Sequence, residues 1–395
     1  MEARDMMRGF PPAPEAQVTL ANWRTRPVNQ WAFHHIREIM PTALIRGGAQ
    51  RTLQEDSHKV LDLAFAGPNG KETTVRRVLE ETWADSLVVL RGGRVAFEWY
   101  SAVQDGTLPH ILFSVSKGVS GAVAGCLVDR GLLDPALLVT HYVPEAEKSC
   151  FAGATVRQVL DMLVSCQFVE DYVDPESDFQ RYRVATGFNP LPEGQKPQDL
   201  RSYLLSLRKD KHEHGSKYHY LSPATDMLGW IMERASGKRF ADLVSENIWA
   251  PMGGGDAQTT VDRLGVGRPA GGICCTPRDL AIFGEMIRLR GVAGGRQVVP
   301  GWWIDDMLTN GDHKIWAASQ PWSFPDGWYR SKFVYTGKNA LYCGGIHGQA
   351  VYANIDAEVS ISLFSSQESP SDDVASPKQR GMLEAVANAL RPRML

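Results

Sequence analysis

The chain of 395 residues is 43% hydrophobic and 22% charged, and its 42 basic and 45 acidic side chains give a net charge of -3. This balance excludes a disordered chain and gives no sign of a surface that binds nucleic acid. The length exceeds the size at which single hydrophobic cores stop growing, so we expect two compact units or one discontinuous domain with a large insertion.

The distribution of apolar residues and cysteines predicts a soluble, cytoplasmic protein. Residues 1–8 lack the apolar run of a secretory signal, and no stretch of about 18 apolar residues follows. The six cysteines include no Cys-x-x-Cys pair, and three of them lie in apolar runs, which is typical of reduced, buried thiols. We expect no nucleic-acid partner and no membrane association.

The first elements in chain order are an N-terminal arm and a β-hairpin. Residues 1–27 contain scattered prolines and show weak periodicity, which predicts an extended arm that wraps the body of the protein or contacts a second subunit. Two β-rich runs, 87–90 and 95–100, flank a glycine turn and predict a hairpin.

Ser114 and Lys117 lie at the start of the next element, an apolar helical stretch. Residues three apart share a helix face, so the serine hydroxyl and the lysine amine can point into one pocket. The small and apolar residues that follow allow burial all round, and burial disfavours the charged form of a lysine. A second Ser-x-x-Lys string, from Ser206 to Lys209, lies among charged residues and is predicted to lie on the surface.

The middle of the chain is predicted to be mainly helical. Apolar residues recur at helical spacing after Thr155, and Pro223 opens another such run that Gly237 can end. Thr276 and Pro277 combine an N-cap with a proline at the first helical position, which predicts a further helix.

A second hairpin is predicted near the C-terminus, from residues 349–354 and 358–365, and a helical run over 378–390 ends the chain. Strands at both ends of the chain predict an α+β fold with one antiparallel sheet, terminal helices and a helical insertion.

These elements predict three parts of the chain. Residues 1–30 form the arm, and residues 31–113 together with 265–395 form a discontinuous α/β sheet domain. Residues 114–264 form the helical domain, with the Ser114 helix at its boundary with the sheet domain.

Tyr220 is the candidate partner of the serine and the lysine, because it directly precedes a predicted helix. A surviving ammonium charge would lower the pKa of a nearby phenol, and a shift from about 10 to about 7 takes roughly 4 kcal/mol. Either a neutral Lys117 or a Tyr220 phenolate can therefore act as base toward Ser114, and the residues leave this choice open. An ordinary half-buried tyrosine is the competing interpretation.

A glycine-rich entry to a predicted strand provides a candidate oxyanion hole. Acyl transfer needs backbone N–H groups aimed at the developing charge, and glycines let the chain approach a substrate closely. The N–H of Ile346, or alternatively that of Gln349, would pair with the N–H of Ser114. Gly345 and His347 are candidate substrate contacts here, although the segment alone also fits a glycine turn with a surface histidine.

Together these segments resemble the serine β-lactamase-like and penicillin-binding-protein-like hydrolases, nearest the 6-aminohexanoate-dimer (nylon oligomer) hydrolases and class C-type esterases. The resemblance covers about residues 80–390, and the matching strings lie at 114–117, 220–222, 276–280 and 346–349. It implies a β-lactamase/transpeptidase-like fold with a five-stranded antiparallel sheet flanked by helices plus a helical insertion domain. It also implies an acyl-enzyme with Ser114 as nucleophile and Lys117 and Tyr220 as the base pair, in a homodimer.

Segment 170–175 is similar to the one that carries the family's substrate-contacting tyrosine, which implies that Tyr172 closes over the substrate. In the nylon-oligomer hydrolases an acidic residue that holds the substrate's free amino group follows this segment. Counting without gaps places Arg183 at that position, although Asp178 lies close by. An arginine repels an ammonium, so the expected activity is carboxylic-ester hydrolysis, with linear amides such as 6-aminohexanoate oligomers as further substrates.

Other interpretations stay open beside an acyl-serine hydrolase. An α/β-hydrolase would need a Gly-x-Ser-x-Gly elbow, which the sequence lacks. His212, His214 and His219 have no matching carboxylate frame, and His34 is interpreted as structural, so we expect no metal and no cofactor. The remaining alternatives are a non-catalytic ligand-binding or sensor module and a weak β-lactamase or D-amino-acid peptidase.

The expected partner is a small-molecule ester or amide. An apolar acyl pocket could be lined by aromatic residues, although residues of this kind more often belong to the core. The candidates are Trp31, Tyr172, Trp322, Trp328 and Tyr335.

Overall fold

The computed structural model describes residues 2–172, 174, 176–319, 321 and 323–392. Its strands are β1 Thr42–Ile45, β2 Ala64–Ala66, β3 Glu72–Thr74, β4 Ala84–Arg91, β5 Arg94–Tyr100, β6 His110–Ile111, β7 Ala257–Thr260, β8 Ile273–Cys275, β9 Val292–Ala293, β10 Arg296–Gln297, β11 Trp328–Arg330, β12 Phe333–Tyr335, β13 Ala340–Gly345, β14 Gln349–Asn354 and β15 Val359–Ser365.

Helices occupy much of the chain between these strands. They are α1 Val28–Ala32, α2 Ile36–Ile39, α3 Val75–Glu81, α4 Ser116–Asp129, α5 Val139–Tyr142, α6 Val156–Leu160, α7 Asp178–Ala185, α8 Leu200–Ser206, α9 Ser222–Ser236, α10 Phe240–Val244, α11 Ala250–Met252, α12 Pro277–Arg288, α13 Gly301–Thr309, α14 His313–Ala318 and α15 Ala375–Leu390. Across the described residues, no helix combines the length and the apolar character that crossing a bilayer requires.

The main sheet is antiparallel and has seven strands in the order β11-β12-β13-β14-β15-β4-β5. Both predicted hairpins belong to it, and β15 pairs with β4, so strands from the two ends of the chain form one sheet as predicted. The predicted number of five strands is wrong, because β12 and β11 extend the sheet beyond β13. These two strands have three residues each, too few to show an alternating pattern. Their turn takes positive φ at Ser331 and Lys332 without a glycine to mark it.

A second, four-stranded sheet leads the chain into the predicted reactive serine. Its order is β1-β7-β8-β6, and β6 pairs with β8 through His110 and Ile111. The N–H of Leu112 then donates to the carbonyl of Ile273 at 2.8 Å. The residues before Ser114 are thus hydrogen-bonded to β8.

Local capping chemistry explains the predicted helices. The Thr276 hydroxyl accepts the Asp279 N–H at 3.2 Å and caps α12, whose first residue is Pro277. Thr155 caps α6 in the same way, and α9 ends at Gly237 in the left-handed conformation. The predictions for these three helices are confirmed.

Helix α4, which begins two residues after Ser114, is buried on all sides for most of its length. Its glycines permit neighbouring elements to pack closely against it. A Cβ at Gly121 would lie 2.2 Å from the carbonyl oxygen of Ser331, and one at Gly125 would lie 2.5 Å from the Trp303 ring. Close approach at these glycines therefore holds α4 against the turn between β11 and β12 and against α13.

The N-terminal arm packs beside the same region. It contains two short 3-10 helices, Ala3–Asp5 and Pro14–Ala16, and a fully buried Trp23. The Trp23 indole N–H donates to the carbonyl of Phe188 at 3.0 Å. The division of the chain into an arm, a sheet domain and a helical domain stays a prediction.

A buried polar group connects the arm to the main sheet. The Gln30 side-chain amide donates to Oδ1 of Asp85 in β4 at 3.4 Å, and the carbonyl oxygen of Gln30 lies 2.8 Å from Nδ1 of His34. Nε2 of His110 lies 3.3 Å from Oδ2 of the same Asp85. Burial lowers the pKa of His34 to about 4, so this ring is neutral near pH 7. The ligand atoms of His34, Asp85 and His110 lie within 4.8 Å of one another, a donor set that transition metals can use. No pattern in the sequence indicated that His34 has these neighbours.

Candidate active site

Ser114 lies in a 3-10 turn, Phe113–Val115, that runs directly into α4. Phe113 has a φ of 43°, a left-handed conformation that costs a non-glycine residue about 1–3 kcal/mol. Its ring centroid lies 5.1 Å from that of Phe33 and 6.0 Å from that of Trp23. Packing against the N-terminal arm therefore helps to hold the turn that presents Ser114.

Lys117 and Ser114 are brought together as the spacing predicts. The lysine Nζ lies 2.7 Å from the serine Oγ and donates a second hydrogen bond to the carbonyl of Ala270 at 2.8 Å. The lysine is only 2% exposed, and burial lowers its pKa to about 8 against the opposing charges of Glu170 and Asp226. A fraction of the protein thus carries a neutral amine beside the hydroxyl near pH 7.

Tyr220 completes the predicted group, since its phenol lies close enough to Ser114 to interact with it and its ring centroid lies 5.0 Å from the Lys117 Nζ. Burial, together with the charge of Glu170, raises the pKa of Tyr220 well above its ordinary value despite the interaction with Ser114. The phenol therefore keeps its proton in the resting protein. Of the two bases left open by the sequence, this electrostatic environment favours Lys117.

Glu170 is a site residue to which the sequence assigned no role. Its carboxylate accepts the Tyr172 hydroxyl at 2.7 Å and also the backbone N–H of Ser222, the first residue of α9. A negative charge is favoured at that helix end by the unpaired N–H groups and the helix dipole. Glu170 belongs to the matched segment 170–175, but no sequence signal separates it from its neighbours there. Val173 and Pro175 of that segment lie outside the described residues.

A cavity of about 510 Å³ opens over these side chains, with Ser114 and Lys117 in its lining. This volume suits a small organic substrate. The other lining residues include a second buried amine and several aromatic rings: Lys332, Tyr218, Trp316, Tyr329 and Tyr342.

The glycine segment lies against the serine at the edge of the cavity. A Cβ at Gly345 would be 2.7 Å from the carbonyl oxygen of Leu112 and 3.2 Å from the backbone nitrogen of Ser114. Ile346 and Gln349 both line the cavity, so both predicted oxyanion donors remain next to the nucleophile candidate. The chain can approach Ser114 this closely only because residue 345 has no side chain.

Comparison with known proteins shows the family of this chain. The family model described as beta-lactamase matches residues 73–385. The chain belongs to the beta-lactamase family. It is 36% identical over 385 residues to the 6-aminohexanoate-dimer hydrolase of Paenarthrobacter ureafaciens, covering 96% of each chain. As a member of this family the protein is a hydrolase, and the resemblance read from the sequence is confirmed.

Solved structures show the same fold at lower identity. A putative 6-aminohexanoate-dimer hydrolase from Bacillus anthracis superposes with a TM-score of 0.86 at 23% identity, over 96% of this chain and 98% of that one. A D-stereospecific amidohydrolase from Streptomyces sp. gives a TM-score of 0.58 at 16% identity, over 78% of this chain and 96% of that one. The predicted α+β, β-lactamase/transpeptidase-like fold class is confirmed, apart from the strand number.

Two predicted substrate contacts of this hydrolase, Tyr172 and Arg183, lie next to each other beside the cavity. Tyr172 lines it, whereas Arg183 borders a small adjoining recess that also contains Ser114. The guanidinium carbon of Arg183 lies 4.5 Å from the Phe179 ring centroid and 5.8 Å from that of Tyr172. Burial and the nearby Arg268 lower the pKa of Arg183 to about 10, so it remains charged.

His347 is not brought to the cavity. It is 2% exposed, its Nδ1 lies 2.7 Å from the carbonyl oxygen of Gln367, and its ring packs against Phe33 and Phe113. Burial lowers the pKa of His347 to about 3. With a φ of 60° at this residue the side chain lies against Phe33 and Phe113, while Ile346 and Gly348 line the cavity. The structure therefore gives His347 a packing role behind Ser114.

The aromatic residues proposed for an acyl pocket are mostly elsewhere. Tyr172 lines the cavity, but Trp31 stacks on His35 at 3.9 Å, and Trp328 stacks on Tyr335 at 4.1 Å. Trp322 lies outside the described residues. The aromatic rings that line the cavity belong instead to residues that the sequence pattern did not distinguish from core residues.

Replacing Gly345 by alanine should lower kcat/KM at least about tenfold, because the methyl group would push the backbone of Ile346 away from Ser114. Loss of a complete oxyanion donor costs about a hundredfold or more in kcat. Gly381→Ala in α15 is the matched control, since its Cβ would meet only the Phe65 ring at 3.8 Å. Ester hydrolysis and thermal melting would be measured for both variants, and equal activities would contradict the placement of Gly345.

Proposed function

We propose that this protein is a serine hydrolase that forms an acyl-enzyme at Ser114 and cleaves carboxylic esters and linear amides. The observation that carries the proposal is the contact of Ser114 with a buried lysine whose pKa is lowered to about 8 and with a protonated tyrosine. A nucleophile, a base and an acid thus surround one oxygen atom. The 36% identity to a 6-aminohexanoate-dimer hydrolase supports the amide part of the substrate range.

In the proposed reaction the neutral amine of Lys117 takes the Ser114 proton while the Oγ attacks the substrate carbonyl carbon. The carbonyl oxygen gains negative charge and is held by the N–H groups of Ser114 and Ile346, with Gln349 as the alternative second donor. When the tetrahedral intermediate collapses, the bond to the leaving group breaks and Tyr220 gives that group its proton. Lys117 then returns a proton to Tyr220, and water repeats the sequence on the acyl-enzyme.

The pH dependence follows from the lowered pKa of Lys117. Below about pH 8 the amine is protonated and cannot accept the serine proton, so kcat/KM should fall about tenfold per pH unit. Above that pH the rate should level off. A profile measured with a neutral ester, whose own charge does not change, would show this. A flat profile between about pH 6 and pH 9 would contradict the assignment of Lys117 as base.

The substrate range would be tested with one panel on the purified protein: short and medium nitrophenyl esters, the linear aminohexanoate dimer and a chromogenic cephalosporin. We expect the esters to be hydrolysed fastest and the cephalosporin slowest. Turnover of the cephalosporin alone would make the protein a β-lactamase, and binding without turnover of any substrate would make it a ligand-binding module.

We also propose a cytoplasmic location and a homodimer. The location is supported by the six cysteines, all of which are buried free thiols. Light scattering after gel filtration tests the dimer, and a monomer at micromolar concentration would exclude it.

A further inference from the structure

Three arginines from distant parts of the chain surround a small recess beside Ser114. Arg24 comes from the N-terminal arm, Arg183 from α7 and Arg268 from the loop before β8. The recess measures about 20 Å³, more than the roughly 10–15 Å³ that one water-sized group needs. Ser114 and Ile346 line both the recess and the main cavity, so the two spaces meet at the nucleophile candidate.

No salt bridge joins these guanidinium groups to a carboxylate among the described residues. Arg268 is 6% exposed, and its Nε and Nη1 atoms make no hydrogen bond there. Arg183 reaches only neutral acceptors, including Gln180 Oε1 at 3.3 Å, and Arg24 donates to the carbonyl of Phe188 at 2.8 Å. Buried charges in proteins are normally paired, so a group of unpaired guanidinium ions indicates a missing anion.

Two carboxylates lie close to the arginines, since Glu170 lines the recess and Asp226 interacts electrostatically with Arg268, but each also accepts hydrogen bonds from other groups. Glu170 accepts the Tyr172 hydroxyl and a backbone N–H at the start of α9. Asp226 accepts the Tyr182 hydroxyl and the N–H of Ala270. The three positive charges of the arginines exceed the two negative charges of these carboxylates, so the recess favours a bound anion.

We propose that the recess binds a carboxylate at the far end of the substrate's acyl chain, so that the preferred substrates are monoesters or monoamides of short dicarboxylic acids. This inference rests on the proposed function. The acyl side is assigned because Ser114 and Ile346 line the recess, whereas Tyr220, the proton donor to the leaving group, lines only the main cavity.

The size and chemistry of the recess favour a carboxylate over a bulkier anion. A guanidinium group presents its N–H donors in a planar fork that matches the two oxygens of a carboxylate. The small volume suits a planar group better than a tetrahedral phosphate. Hydrogen bonds to charged groups correspond to a gain of about ten- to a hundredfold in kcat/KM over a neutral chain end.

The test compares three nitrophenyl esters whose acyl chains differ at the far end: hexanoate, adipate monoester and 6-aminohexanoate. We expect kcat/KM to be about ten- to a hundredfold higher for the adipate monoester than for the hexanoate, and lowest for the 6-aminohexanoate. Succinate and glutarate monoesters would show which chain length reaches the recess. The inference would be overturned if the wild-type kcat/KM for every carboxylate-ended ester were no higher than that for its neutral counterpart.

Variants link this preference to the arginines. Arg183→Gln should reduce the adipate-to-hexanoate ratio about tenfold, and Arg183→Glu should invert the order of adipate and 6-aminohexanoate. Arg181→Gln is the matched control, because Arg181 lies on the same helix, is exposed and pairs with Asp178. Arg268→Gln serves as a second test, with thermal melting to check its fold. A ratio unchanged in both Arg183→Gln and Arg268→Gln would also overturn the inference.

The design separates failure of this inference from failure of the proposed function. If the hexanoate ester is hydrolysed but no carboxylate is preferred, the proposed anion site is wrong, while the proposed serine hydrolase activity is retained. If no ester is hydrolysed and a fluorophosphonate does not label Ser114, the proposed function is wrong, and the inference fails with it.

Discussion

Replacing Lys117 with alanine will lower kcat/KM for a nitrophenyl ester by at least about a hundredfold. The amine is the group within 2.7 Å of the Ser114 oxygen that can accept its proton, and general bases contribute about a hundred- to ten-thousandfold. Steady-state rates at about pH 8, with thermal melting of the same samples, would measure the loss.

The second Ser-x-x-Lys string supplies the control for this variant. Ser206 and Lys209 are exposed, the serine hydroxyl donates to the carbonyl of Tyr203, and the lysine pairs with Glu213. Lys209→Ala should leave the rate unchanged. A folded Lys117→Ala protein with near wild-type turnover would remove the lysine from the mechanism.

Replacing Tyr220 with phenylalanine will lower the hydrolysis of alkyl esters by at least about a hundredfold, and that of nitrophenyl esters by much less. The phenol is held protonated by burial and by Glu170, so its chemical role is to give a proton. An alkoxide needs that proton to leave, whereas a nitrophenolate leaves without one.

The informative readout is therefore the ratio of alkyl-ester to nitrophenyl-ester rates. Tyr218→Phe is the matched control, since Tyr218 lines the same cavity and packs against Trp316 at a centroid distance of 5.0 Å. Its ratio should equal that of the wild type. Equal losses for both ester classes in Tyr220→Phe would show that the phenol positions Ser114 and does not act as an acid.

Features that depend on local chemistry could be read from the sequence. The helix that starts at Thr276 and Pro277 follows from capping and a fixed proline φ, which need no tertiary contact. The contact between Ser114 and Lys117 follows from their spacing on one helical face. Burial of the helix followed from its small residues, and burial is what lowers the pKa of the lysine.

Features that depend on contacts between distant segments could not be predicted from the sequence. The carbonyl of Ala270 that holds Lys117 comes from a loop 153 residues further along the chain, and any residue could supply a carbonyl there. The recess joins Arg24, Arg183 and Arg268, and only Arg183 could be singled out, because it departs from the family pattern.

The sequence also could not show which way the His347 side chain points. That orientation depends on a left-handed φ of 60°, a conformation that a glycine would normally indicate. The short strands β11 and β12 were missed for a related reason, since their turn at Ser331 and Lys332 also takes positive φ without a glycine. In each case the packing of the surrounding structure determined the local conformation.

Intact-mass analysis of the purified protein after reaction with a fluorophosphonate tests the central claim most directly, because the reagent labels the reactive nucleophile without assuming a substrate. We predict the mass of one added phosphonyl group, located by peptide mapping at Ser114 and absent from the Ser114→Ala variant and from the peptide that contains Ser206. An unmodified mass in well-folded protein, or a label at any other serine, would contradict the assignment of Ser114 as nucleophile.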